Sequence, residues 1–219
     1  MVVTAKCAPV DNLDVYVADL LAHEGCPAEP TGCYPYLDTK GLVTFGIGEH
    51  LSIAEFARVP WRSYNDQAAL ESECEGAYNE LLHEGQNRVF PFPASHYAQF
   101  TRIRLPKAVA LQRCKDRLAG EFLPHLQDQF STTIGNPLGF FPLPARQVLV
   151  DLLYNLGVGE FTAAKWPRLF AAVANQDYAE ASRQCITVNA GETHEDAAKK
   201  PRNVWRRDLM LSCAGPVAS

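Results

Sequence analysis

A mainly helical α+β fold with one small β-hairpin near the N-terminus is what the patterning of this chain predicts. Three observations carry that expectation. Apolar stripes at three- and four-residue spacing recur along most of the chain, whereas Leu42 to Gly48 alternates with the period of two that a strand requires. Just ahead of it, Asp38-Thr39-Lys40-Gly41 has Asp at the first and Gly at the fourth position of a type I turn, a pattern that can lead into a hairpin. The third is size: 219 residues, 47% hydrophobic and 21% charged, suffice for one large domain or two lobes.

Asp11 or Asn12 can cap a first helix running to Glu24, with Leu13, Val17, Leu20 and Leu21 as its apolar stripe. Glu24 continues that stripe in the last turn, ahead of a Gly25 that reads as the stop. Burial and the negative end of the helix dipole both oppose ionisation there, so Glu24 is expected to keep its proton as a general acid must. In the strand, Val43, Phe45 and Ile47 share a greasy face, while Leu42, Thr44, Gly46 and Gly48 share a mostly small one. Glycine gives up packing in a strand, and close approach by a ligand or another backbone is a common compensation. The Thr44/Gly46 face is therefore a candidate substrate wall.

Asp38 has two readings at this point, a turn residue or a second working carboxylate. His23-Glu24-Gly25 does not decide between them by itself, because Leu82-His83-Glu84-Gly85 repeats the letters at the end of another helix. Only Glu24 is followed by both a turn Asp and the Thr/Gly strand.

Further along, a short helix is expected over Glu49 to Arg58, closed off by Pro60, and a longer one over Asp66 to Glu84. Pro91-Phe92-Pro93 breaks the pattern, and a segment around Tyr97 to Ile103 runs into Pro106. A helix from about Lys107 to Gln127 follows, shortened or kinked by Gly120 and Pro124. Phe130 to Pro144 reads as a connection, and Pro144 opens an apolar helix ending in Asn155-Leu156-Gly157. Phe161 to Val173, Tyr178 to Cys185 and Arg202 to Leu211 are the remaining helices, with a polar loop from Gly191 to Lys200.

The net charge of −5 conceals an asymmetry: residues 1–100 sum to −9 and residues 101–219 to +4. A basic second half suits an anionic polymer, and ordinary solvated helix faces explain it equally well. No basic motif interleaved with aromatics points to nucleic acid. Met1 to Val10 offers neither a signal peptide nor a membrane helix, so a protein made in the cytoplasm, with no stable membrane insertion, is expected. Seven cysteines without a CxxC pair suggest neither a zinc site nor a full disulfide framework, and no metal or cofactor is expected.

Taken together, Glu24-Gly25, Asp38 to Thr44 and Gly46-Ile47-Gly48 resemble the phage-type (T4-like) lysozymes of glycoside hydrolase family 24. The second half is similar too, in Leu105-Pro106-Lys107-Ala108, in Gln147 to Gly157, in Phe161 to Tyr178 and in the closing Arg206-Arg207. The resemblance implies a lysozyme-like bilobed fold across residues 1–219. Its parts would be an N-terminal lobe over about 11–105, an inter-lobe helix over about 107–127 and a C-terminal helical lobe over about 128–213. It implies hydrolysis of the β-1,4 bond between N-acetylmuramic acid and N-acetylglucosamine in peptidoglycan. Glu24 would be the general acid, Asp38 the carboxylate that activates water, and Thr44 a partner in holding that water. Gly46, Asn155 and Arg206 would contact substrate; the plainer readings are a helix cap for Asn155 and a surface residue for Arg206.

The chain departs from the family in a longer gap between Glu24 and Asp38, a much longer 52–104 segment, and a histidine, His50, one place late behind Glu49. The extra residues before Asp38 are bracketed by Cys26 and Cys33. A disulfide between them, formed once the protein reaches an oxidising compartment, would close an Ω-like excursion and contribute about 2–3 kcal/mol in the chain-entropy model. A lytic transglycosylase acting on the same bond and an inactive peptidoglycan-binding module are the alternatives. A monomer is expected, released into the periplasm by a holin system or injected by a secretion machine, in the second case with an immunity protein as partner.

Overall fold

The structure is a computed structural model that describes residues 12–24, 26, 28–29, 32–38, 40–63, 65–86 and 94–215. Asp11, Gly25, Thr39, Pro91-Phe92-Pro93 and part of the Cys26–Cys33 excursion, all invoked above, lie outside the described residues. By packing, the chain divides into two compact units, one of residues 20–116 and one joining residues up to 19 with those from 117 onward. The start of the first helix, α1 (Leu13–Glu24), belongs with the C-terminal residues, where Gln147 Nε2 donates to Asp19 Oδ2 at 2.7 Å. Asn12 is the cap: its Oδ1 accepts from Asp14 N at 3.0 Å.

The 20–116 unit begins with a hairpin of β1 (Ala28–Glu29) and β2 (Gly32–Cys33). A three-stranded antiparallel sheet follows, of β3 (Tyr36–Leu37), β4 (Val43–Phe45) and β5 (Glu49–His50) in that order. The expected strand to Gly48 is thus cut short. Gly46 and Gly48 take φ of +57° and +70°, and this left-handed backbone turns the chain into β5 where a flat strand would continue. Glu49 and His50 are strand residues in place of the expected helix start. The short helix α2 (Ile53–Phe56) begins behind Ser52, whose side chain and that of Glu55 cap each other's backbone N–H.

Next come β6 (Arg62–Ser63), α3 (Glu71–Gln86), a 3₁₀ turn at Ala94–Gln99 and β7 (Ile103–Arg104), which pairs with β6. α4 (Lys107–Arg117) closes the unit. The long 52–104 segment supplies much of its core. Phe56, Trp61, Cys74, Leu81, Tyr97 and Ile103 are buried together with Leu37, Val43 and Phe45 of the sheet. Trp61 packs edge-on to Phe45 with ring centroids 5.3 Å apart, and its indole N–H donates to Phe56 O at 2.8 Å.

Helix α4 continues through a π turn at Leu118–Phe122 into α5 (Leu123–Thr133), beyond the expected end at Gln127. Pro124 has no N–H for the carbonyl of Gly120, and the Leu123 N–H instead reaches Leu118 O, the i−5 bond of a π turn. The expected kink is therefore absorbed by a widened turn. After a 3₁₀ turn at Leu138–Phe140 come α6 (Leu143–Leu156), α7 (Pro167–Ala174), α8 (Tyr178–Gln184), α9 (His194–Ala198) and α10 (Pro201–Leu211). α7 starts six residues later than expected because Pro167 disfavours helical backbone at Trp166. α9 lies in what reads as a polar loop, and Thr193 caps it by accepting from Asp196 N. Phe130 stacks on Phe170 and packs against Phe141, both at 4.8 Å, at the centre of this unit.

Candidate functional site

Helix α1 buries Tyr16, Val17 and Leu20, while Leu13, Leu21 and Glu24 are only half-buried. Glu24 thus closes the helix at the edge of the apolar stripe, with part of its side chain in reach of solvent. The turn at Asp38 forms as its letters suggest, with Gly41 N donating to Asp38 O and Asp38 N to Leu42 O, both at 3.0 Å. The side chain braces the turn as well: Asp38 Oδ1 accepts from the amides of Lys40 and Leu42, each at 2.8 Å. That leaves Oδ2, which faces His50 Nε2 at 3.7 Å. Asp38 is therefore both a turn residue and a carboxylate with one oxygen to spare.

Strand register sets the rest of the site. Tyr36 lies opposite Thr44, and Thr44 opposite His50, so the three side chains form a row across one face of the sheet. Thr44 Oγ1 is 2.8 Å from His50 Nδ1 and donates to Leu42 O at 3.0 Å. The hydroxyl thus pairs with both the carbonyl and Nδ1, and the other ring nitrogen is the one turned to Asp38. Thr44 itself is buried at 1% exposure, whereas half of the His50 side chain is exposed. Glu49, on the opposite face, is held by Arg113 of α4 at 2.7 and 3.2 Å.

Tyr36 connects this row to Glu24. Its phenol is pushed well above the ordinary tyrosine range, first by burial, then by the negative charges of Glu24 and Asp38. A single hydroxyl thus lies in the fields of both carboxylates. The motif reading overlooked Tyr36, yet counting register outward from the Asp38–Leu42 turn puts it opposite Thr44.

Two expected site residues, Gly46 and Arg206, need correction. Gly46 belongs to a turn, is buried, and would bring an added Cβ to 3.4 Å from Ala110 of α4; the space it leaves admits a helix. Arg206 is fully buried, with Nε 2.5 Å from Asp151 Oδ2 and Nη1 donating to Thr187 Oγ1 and Asn203 Oδ1, so no part of it reaches a surface. Cys26 and Cys33 are free thiols, as are Cys74, Cys114, Cys185 and Cys213. Asn155 is exposed near the end of α6 and its amide has no hydrogen-bond partner among the described residues, so it remains available to a ligand. The second His-Glu-Gly lies within α3, where Glu84 faces His96 at 3.5 Å.

Among the described residues no cluster of His, Cys, Asp and Glu is arranged to hold a metal ion, and no helix is long and apolar enough to cross a membrane. No family model, curated protein or solved structure matches this chain.

Proposed function

We propose that the chain is a muramidase that hydrolyses the β-1,4 bond between N-acetylmuramic acid and N-acetylglucosamine of bacterial peptidoglycan, with inversion. What supports this most is Tyr36, whose phenol lies in the fields of both Glu24 and Asp38, the two carboxyls the motif order singles out. Inverting hydrolysis needs an acid to protonate the leaving oxygen and a base to take a proton from water on the opposite face, with carboxyls roughly 6.5–9.5 Å apart. Glu24 is the acid. Asp38 is the base, working through Oδ2, since Oδ1 is committed to two amides. His50 and Thr44 position that carboxylate.

The test is muropeptide analysis after digestion of purified sacculi. Wild type should release fragments with reducing ends, and Glu24→Gln, with an unchanged circular dichroism spectrum, should lower the rate at least ~100-fold. Anhydro products would reassign the chain as a lytic transglycosylase. Retained binding to sacculi without any release would make it a binding module, and substantial activity in Glu24→Gln would remove Glu24 as the acid.

A further inference from the structure

We propose that Cys26 and Cys33 form a thiol–disulfide exchange site, in which Cys26 attacks a low-molecular-weight disulfide and Cys33 resolves the product into an intramolecular bridge. The β1–β2 pairing sets Ala28 opposite Cys33, so the chain folds back within two residues of Cys26. Both sulfurs sit at one apolar cluster, Cys33 within it and Cys26 packed against it. Their surroundings divide the roles. Cys26 is half-buried, so a small molecule can reach it, whereas Cys33 is completely buried.

The backbone of Cys33 is fixed against the strand end before α4, its N–H donating to Leu105 O at 2.7 Å and its carbonyl accepting from Leu105 N at 2.8 Å. The approach is so close that a Cβ on Gly32 would fall 2.5 Å from Leu105 O. The resolving sulfur is therefore held in place while its partner lies on the more open arm.

Electrostatics runs the same way. A hydrogen bond with Cys33 and the nearby ammonium of Lys107 hold the Cys26 thiol below its ordinary value against the effect of burial. The same hydrogen bond, together with burial, keeps Cys33 protonated. By contrast, burial pushes the thiols of Cys74, Cys185 and Cys213 up.

The exchange balances without any further reactant. The Cys26 thiolate attacks one sulfur of the small disulfide, the S–S bond breaks and one thiolate leaves. Cys33 then gives up its proton, attacks the Cys26 sulfur and expels the second thiolate. Two protein thiols are oxidised to one disulfide, and one small disulfide is reduced to two thiols. This bridge would close the chain between Glu24 and Asp38, next to the phenol of Tyr36, whose charged neighbours include Cys26.

The full chain is incubated with glutathione disulfide, quenched with acid, alkylated and mapped by peptide mass spectrometry. The expected product is a Cys26–Cys33 bridge that dithiothreitol reverses, with the other cysteines alkylated. Cys33→Ser, folded by circular dichroism, should accumulate one glutathionyl group on Cys26, and Cys26→Ser none on Cys33. The proposal is overturned if no bridge forms, if glutathionyl groups spread over the remaining cysteines, or if folded Cys33→Ser stays unmodified at Cys26. Mass is the readout throughout, so the result is independent of any action on peptidoglycan.

Discussion

Asp38 and Asp151 are both carboxylates held by their neighbours, and they are held in opposite ways. Asp151, on α6, is buried with both oxygens committed: Arg202 reaches them through Nε at 3.1 Å and Nη2 at 2.8 Å, and Arg206 takes Oδ2. Asp38 gives one oxygen to two turn amides, and among the described residues the other faces a half-exposed imidazole at 3.7 Å. Saturation marks a carboxylate that holds structure. Surplus capacity at a fixed position marks one that can accept a proton from elsewhere.

The largest effect that would probe this contrast is on stability. Asp151→Ala strands the guanidinium of Arg206 in the interior, whose burial already lowers its proton affinity, and should cost about 3–5 kcal/mol in urea unfolding. A loss near zero would show that the buried network is dispensable and would collapse the distinction. Asp38→Asn keeps an oxygen for the turn amides, so unfolding should shift by less than about 1 kcal/mol while lysis of sacculi falls roughly 100-fold. If stability fell and lysis did not, Asp38 would be a turn residue only.

Smaller effects refine the surroundings of Asp38. Gly46→Ala forces a side chain into left-handed backbone at φ +57° and should lower stability by about 1–2 kcal/mol, read from thermal unfolding. Thr44→Val leaves Leu42 O and His50 Nδ1 without their hydroxyl partner and should cost about 1 kcal/mol, with a loss of lysis well below that of Asp38→Asn.

Local signals were legible in the sequence where the reason for a feature is itself local. The Asn12 cap, the Asp38 turn, the sequence of helices and the perturbation before Pro124 all rest on residues within one turn of each other. Where the reading failed, a distant partner decided. Gly46 looked like room for substrate because nothing nearby in sequence announces Ala110, and Arg206 looked available because Asp151 is 55 positions away. Helix over Glu49–Arg58 was expected from composition, but pairing with β4 claims Glu49 and His50 for the sheet. Tyr36 was missed for an intermediate reason: hairpin register reveals it, whereas motif matching does not.

The packing of Phe56, Trp61 and Leu81 against the sheet has a consequence for how this chain could have arisen and how it can be cut. Strands of two or three residues cannot persist as a free hairpin. The row of Tyr36, Thr44 and His50 therefore has no existence apart from Phe56, Trp61 and Leu81 behind it, and the 52–104 segment cannot be trimmed as an appendage. Recombination or design that moves this site must carry the hairpin, its backing and α4 as one inherited piece.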